Sequence, residues 1–437
     1  MSDNEQDGDN FDLLDIVMHN SDDPEVIIME RLHFSPMGST ESLASSDGSN
    51  LHLDHDTDDP TDMNIEIVNY DRDLPGEHTY LGTDMLPVSG CLVLEQNAIY
   101  ELPLLAHHSL IFPNQVLPMM PHIMHASRLS KEIEGSHVFG LVCPDESGKN
   151  MFEYGIICEI FEKESDHDAD IVRVKARGRQ RFKVLGPMKE LRDYLSIVTQ
   201  NVMILPEYVL KDPLSCAHLS SLDKYRLHVS SQNRNLAMIA KRRDSYLTSW
   251  PMFVFNQYDL NDIVDKIRNH FRQLNIDSFP SDPIALSFWV AHNLQLGASV
   301  RLLLFKLDSA LHRLQIELKY LEKCGTLCCK VCRTEIAKTS DLFAMSNDGI
   351  QSHYCNPEGW IHETFTVRRA NEIRLQGQKS TRTSWFPGYA WTIAMCKICN
   401  HHVGWLFTAT ELNLRPSEFW GLCRTSITQT TCIEENV

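Results

Sequence analysis

The sequence predicts an α+β chain of several domains: a disordered acidic tail, a β domain, a helical bundle block and a C-terminal all-β zinc module. Three observations lead there. The net charge of −19 over 437 residues is concentrated at one end. Apolar spacing changes from strand-like to helical near residue 207. Two C-x-x-C pairs, Cys329/Cys332 and Cys396/Cys399, lie in the last quarter of the chain.

Residues 1–70 hold 18 acidic side chains and one basic one, Arg31, so they carry −17 and the remainder only −2. Like charges repel, and the stretch is rich in Asp, Ser, Asn and Gly, so it reads as a disordered tail. Two apolar islands, FDLLDIVM at Phe11–Met18 and VIIME at Val26–Glu30, fit docking peptides or chance apolar residues in a linker. The near-neutral body argues against a nucleic-acid binder, which would show a basic face. No apolar run is long enough for a membrane span, and the acidic start is unlike a secretory signal. The 13 cysteines are therefore expected as reduced thiols, and their clustering points to metal.

Residues 78–206 read as the β domain. ELPLLAHHSLIFPNQVLPMMP, at Glu101–Pro121, breaks short apolar runs with proline, which favours strands and tight turns. Strands are expected at Phe139–Val142, Glu153–Phe161 and Ile171–Leu185. The last alternates Ile171, Val174 and Ala176 with basic residues and is expected to turn at Gly178, giving a small barrel or sheet. LPLL, LIFPNQVLPMM and GRQRFKVL resemble the N-terminal domain of the Lon protease family, with Asn114 where glycine is common in the proline turn. No phosphate-binding G-x-x-x-x-G-K-[ST] loop is present, so no ATPase motor is expected. The resemblance implies a protein-interaction module.

Residues 207–322 read as helices. Ile263, Ile267, Phe271 and Leu274 share one face of a helix over Asp262–Leu274. Val300, Leu303, Leu304, Leu307, Leu311, Leu314, Leu318 and Leu321 predict one continuous helix over Ser299–Leu321, capped by Ser299.

Residues 323–432 form the zinc module. Two residues between paired cysteines let both sulfurs face one ion, so Cys329, Cys332, Cys396 and Cys399 are the expected ligands of one structural Zn2+. Cys328, Cys324 and Cys355 are rivals outside such pairs. Four sulfurs leave no open position for catalysis. Beside the site lie Trp385, Trp391 and Trp405. Pro387-Gly388 favours a turn between the first two, and Trp405 and Phe407 have strand spacing, so both face one way. These rings fit an aromatic-walled pocket or a bulky core.

HETFTV at His362–Val367, SWFPGYAWT at Ser384–Thr392, CKIC, HVGWLFTAT at His402–Thr410 and FWGL at Phe419–Leu422 resemble the cereblon family over about residues 70–430. The family joins a Lon-like domain, a helical block and a thalidomide-binding (CULT, β-tent) domain in this order. The resemblance implies a non-catalytic substrate receptor of a cullin-4–RING ubiquitin ligase, cytoplasmic and nuclear. Its helical block would dock on the DNA damage-binding protein 1 adaptor. Its C-terminal domain would hold cyclic-imide small molecules or imide-terminated proteins. By the same resemblance, Trp385, Trp391 and Trp405 are cage walls, Phe407 is the floor, and Asn356 and His362 lie on the rim. Thr383 would contact ligand through its backbone. This chain has Arg382-Thr383 where vertebrate members have Glu-His, and Glu358 replaces a rim histidine, so altered affinity and an altered surface for recruited proteins are expected.

Three other readings stand beside this one. An aromatic cage captures methylated ammonium groups when a carboxylate such as Glu358 joins it. The zinc fold is also similar to that of methionine sulfoxide reductase B, which makes Cys423 a candidate nucleophile. A Lon-like remnant without a ligase is the third. His362-Glu363 has no second histidine at H-E-x-x-H spacing, so no metalloprotease is expected.

Overall fold

The computed structural model describes residues 69–82, 84–88, 90, 93–108, 110–120, 137–144, 151–164, 173–187, 197–209, 220–225, 234–247, 251–274, 276–321 and 325–431. The tail and both its apolar islands lie outside these, except Asn69 and Tyr70, as do Cys324 and Ile171.

The described residues begin with a strap, residues 69–82, containing the one-turn helix α1 (Leu74–Glu77). Among the described residues seven strands follow: β1 (Met85–Pro87), β2 (Ile99–Ala106), β3 (Val116–Met119), β4 (Val138–Pro144), β5 (Met151–Glu164), β6 (Val174–Val184) and β7 (Ile197–Ile204). Their order is β1-β5-β4-β2-β7-β6-β3, and a further β5–β6 pairing closes the middle five into a ring. Pro103 of β2 lies just before the first β4 partner, Leu104, so its missing N–H breaks no bond there. Asn114 holds the left-handed conformation (φ 69°) that glycine would otherwise supply.

The expected turn at Gly178 is corrected: β6 continues through it, with a register shift against β5 between Gly178 and Arg181. Glycine is needed there for close approach, since a Cβ would sit 2.9 Å from both the Phe112 carbonyl oxygen and the Ile156 side chain. In return Gly178 donates to Gln115 O and accepts from Asn114 N.

Among the described residues, six helices form the next block: α2 (Arg234–Tyr246), α3 (Met252–Tyr258), α4 (Leu260–Gln273), α5 (Pro283–Asn293), α6 (Ala298–Lys306) and α7 (Ala310–Leu321). The Asp259 carboxylate caps α4 and the Asp282 carboxylate caps α5, where Pro283 supplies a preset first turn. The single helix expected over Ser299–Leu321 is two, broken at Leu307–Ser309 and begun by Gly297 rather than capped by Ser299. Long-range bonds outcompete the local ones at the break. Tyr208 N donates to Asp308 O, Ala310 N donates to Tyr208 O, and the Asp308 carboxylate accepts from the buried Arg181 at 3.1 Å.

The third part comprises β8 (Gly325–Cys329), β9 (Glu335–Lys338), β10 (Gln351–Cys355), β11 (Ile361–Val367), β12 (Ile373–Ser380), β13 (Tyr389–Cys396), β14 (His402–Ala409), β15 (Glu418–Cys423) and β16 (Ile427–Thr431). They make an antiparallel six-stranded sheet, β10-β11-β15-β14-β13-β12, and a three-stranded sheet, β16-β8-β9.

The parts share cores. Leu286 and Val290 of α5 join a cluster with Leu327, Phe365 and Leu422 of the zinc module. Phe288 and Ala291 of the same helix join Phe112, Ile156 and Ala176 of the barrel. A helix buried on both sides needs apolar residues all round, which is why α5 lacks a polar stripe. The strap ties on through polar bonds: Asn69 Nδ2 donates to Asn413 O and Lys175 Nζ to Glu77 O. Among the described residues no helix is long and apolar enough to cross a membrane.

Candidate functional site: a four-cysteine centre beside an aromatic cluster

Cys329, Cys332, Cys396 and Cys399 bring their sulfurs within 4.8 Å of one another. Cys329 and Cys399 are 3.6 Å apart, and Cys332 and Cys396 3.5 Å. Tetrahedral Zn–S bonds of about 2.3 Å require sulfurs roughly 3.8 Å apart, so the set fits one structural zinc ion. Both turns are built alike. Arg333 and Asn400, each following a pair, adopt φ near 60° (61° and 57°). Arg333 N donates to Cys329 O, and Asn400 N to Cys396 O. Cys328 alternates to the other side of β8, where the Thr430 hydroxyl approaches its sulfur at 3.8 Å. Cys355 is buried in β10, outside the cluster.

The aromatic cluster is built on the β13–β14 hairpin. Trp391 pairs with Phe407 and Ile393 with Trp405, so Trp391, Phe407 and Trp405 share one sheet face. Trp385 reaches them from the loop before β13. Its ring lies 4.6 Å from Trp405 at 72° and 6.4 Å from Phe407. The turn Phe386-Pro387-Gly388-Tyr389 closes through Tyr389 N to Phe386 O, with Gly388 at φ 90°. Trp385 and Phe407 are buried, while Trp391 and Trp405 are half-buried.

Two indole N–H groups are already committed: Trp385 donates to Cys355 O at 3.1 Å and Trp391 to Arg382 O at 2.9 Å. Thr383 holds φ 51°, and its hydroxyl also donates to Arg382 O. His362 packs edge-on to Trp405, with centroids 5.0 Å apart, and lies 5.8 Å from Trp385. Burial, helped by His402 and His108, lowers its pKa to about 4, so the ring is neutral near pH 7. The Asn356 side chain closes its own loop by accepting from Trp360 N at 2.8 Å.

Sequence reasoning missed Tyr354, whose ring stacks flat on Trp385 at 5.1 Å and 10°. It missed Tyr80 of the strap, whose hydroxyl accepts from Cys355 N, and His402, edge-on to Trp405 at 4.7 Å. Tyr354 pairs with His362 across β10 and β11, a period-2 signal that register alone decodes, whereas His402, three residues before Trp405, reaches the cluster only through the register shift between Ala394 and Met395. Tyr80 carried no local signal. A separate cavity of about 380 Å³ lies beside the cluster between the strap and the 381–388 loop, lined by Thr79, Tyr80, Thr381 and Thr383 among others and by none of the tryptophans.

Cys423 is poorly suited to nucleophilic work. Burial pushes its thiol up to about 12, and the nearby His362 Nδ1, 4.0 Å away, is neutral. Glu363, next to His362 on β11, offers no counter-charge to a cation in the cage, because it faces Arg301 and Arg424 instead.

A five-stranded barrel sharing a core with helices, and the same helices sharing a core with a four-cysteine β module, define a Lon-type domain joined to a zinc-binding module. The family model for the ATP-dependent protease La (LON) substrate-binding domain matches residues 101–323, through the helices as well as the barrel. The model described as Yippee zinc-binding/DNA-binding /Mis18, centromere assembly, matches residues 325–436. The chain is 36% identical over 382 residues to protein cereblon of Gallus gallus, covering 83% of this chain and 85% of that one. It is 34% identical over 421 residues to protein cereblon of Danio rerio, covering 90% and 96%. A solved Lon N-terminal domain protein from Xanthomonas campestris aligns at TM-score 0.30 and 16% identity, over 51% of this chain and 98% of that one, too loosely to add to these. The chain belongs to the cereblon family.

Proposed function

We propose that this chain is the substrate-recognition subunit of a cullin-4–RING ubiquitin ligase. It captures cyclic imides, as small molecules or as protein C-termini, and presents proteins for ubiquitination and degradation. The observation that carries this reading is the edge-on meeting of Trp385 and Trp405 beside Phe407, with Trp391 on the same face. A cyclic imide is flat and neutral, with one N–H and two carbonyls around an apolar CH₂ edge. Aromatic walls bury that edge without a charge to desolvate. The polar atoms need partners, since leaving one unmatched costs about 1–3 kcal/mol. The turn at Arg382–Trp385, tied to Trp391 through the Arg382 carbonyl, offers backbone groups for this.

The helical block supports adaptor docking. Leu236, Met238, Ile239 and Tyr246 of α2 and Phe253 of α3 are large apolar side chains left exposed. Grouped on neighbouring helices, they suit an obligate partner such as the DNA damage-binding protein 1 adaptor.

Calorimetric titration of the zinc-loaded full chain with glutarimide tests the cage, with Trp391→Ala beside it. Saturable binding that the variant loses is the expected result. No binding to the folded wild type, with binding of a trimethyl-lysine peptide instead, overturns it.

A further inference from the structure

Strand β11 places adjacent residues on opposite faces. His362 faces the tryptophans, and Glu363 faces away into the seam between the zinc module, the helices and the barrel. There Glu363 Oε1 accepts from Gln351 Nε2 at 2.5 Å and meets Arg301 Nη1 at 2.8 Å and Arg424 Nε at 3.8 Å. Burial pushes this carboxyl up, but the two guanidinium groups outweigh it and hold it below its ordinary range. Arg301 comes from α6, and its Nη2 donates to Leu110 O on the barrel side. Arg424 donates to Leu296 O, in the link between α5 and α6. His353 of β10 and His292 of α5 stack beside the group at 5.5 Å. Both are neutral near pH 7, so the carboxylate is the counter-charge for two buried cations.

A buried charge stripped of its partner is strongly unfavourable, so this carboxylate cannot drift from the guanidinium groups. Its backbone is also that of His362, whose ring packs against Trp405 and Trp385. We propose that Glu363 is a positioning residue of the ligand cage. It fastens β11 to the helical block and the barrel, and thereby fixes His362 edge-on to Trp405. The cage is then set by all three parts of the chain. This inference rests on the ligand reading above.

The test uses the full chain with ¹⁵N-labelled tryptophan. Glu363→Gln removes the counter-charge, and Arg301→Gln removes the tie to α6 while leaving Arg424. Arg313→Met is the control, because Arg313 anchors a different seam through Ser287 and Glu207. Zinc content and melting temperature report folding. In both seam variants the Trp405 indole resonance should move without ligand, and glutarimide should bind about tenfold more weakly. Arg313→Met should lower the melting temperature while leaving resonance and affinity alone. If Glu363→Gln does not fold, Arg301→Gln decides. Unchanged Trp405 resonance and affinity in the folded seam variants, or equal shifts in Arg313→Met, overturn the proposal. If the wild type takes no glutarimide, the ligand reading fails, and the indole resonance alone decides the positioning.

Discussion

The indole N–H of Trp385 donates to the carbonyl of Cys355, 30 residues earlier in the chain, at 3.1 Å. The Cys355 N–H in turn donates to the Tyr80 hydroxyl at 3.1 Å. One wall of the aromatic cluster thus depends on β10 and on the N-terminal strap. Replacing the indole by phenyl, Trp385→Phe, keeps a ring but strips the buried carbonyl of its donor. The expected cost is about 1–3 kcal/mol in denaturant unfolding, together with weaker glutarimide binding by calorimetry.

Thr383 is β-branched and holds φ 51°, a conformation such residues rarely adopt. Asparagine tolerates it better, so Thr383→Asn should raise stability by about 0.5–1 kcal/mol. Thr383→His adds the imidazole of vertebrate family members and should tighten imide binding. Thermal melts and titrations of the two variants separate the backbone effect from the side-chain effect.

Cys329 and Cys396 belong to the same apolar cluster as Phe271 of α4 and Leu314 of α7. Removing zinc with a chelator should therefore unravel more than the metal turns. Helical circular dichroism and tryptophan emission should be lost together in one transition. Two separated transitions would show that the helices hold without the zinc module.

Burial is the main cause that lowers the pKa of His78, His292 and His353 to about 3 and of His362 to about 4. In the unfolded chain each returns to about 6.5. The unfolded state then binds more protons below that pH, so the stability these histidines give is full above about pH 6.5 and falls on acidification. Glu363, depressed in the folded state, acts in the same direction at lower pH. Urea midpoints should drop steadily from pH 7 to pH 5, and His353→Gln should flatten that slope by about one proton.

The exposed face of α2 gives a prediction with the opposite signature. Met238 and Ile239 are 61% and 54% exposed. Met238→Glu with Ile239→Glu should leave the unfolding free energy within about 0.5 kcal/mol of wild type by urea denaturation. Co-purification with the adaptor should be abolished. Retained co-purification would move the docking surface elsewhere.

The zinc ligands were readable in the sequence because their geometry is local: each C-x-x-C pair fixes its two sulfurs within one turn. The Pro387-Gly388 turn and the barrel strands were readable for the same reason, through proline punctuation and period-2 spacing. The helix over Ser299–Leu321 was misread because its leucine stripe is continuous while its break is imposed from outside. Asp308 and Ser309 leave the helix for partners on Arg181 and Tyr208, which no spacing within the segment encodes. Gly178 was misread similarly, since a glycine that admits a neighbouring carbonyl looks in sequence like one that turns the chain.

By itself the sequence determined the α+β class, the order of β, helical and zinc-bearing parts, and the four sulfurs, because these follow from periodicity, punctuation and spacing within short windows. Only the tertiary structure decided that the parts share cores through α5, that Tyr354 and Tyr80 back Trp385, and that Glu363 gathers Arg301 and Arg424 behind His362. Those contacts join residues tens to hundreds of positions apart. Their free energy comes from mutual burial and from charge pairing out of water, and neither exists until the chain has closed on itself.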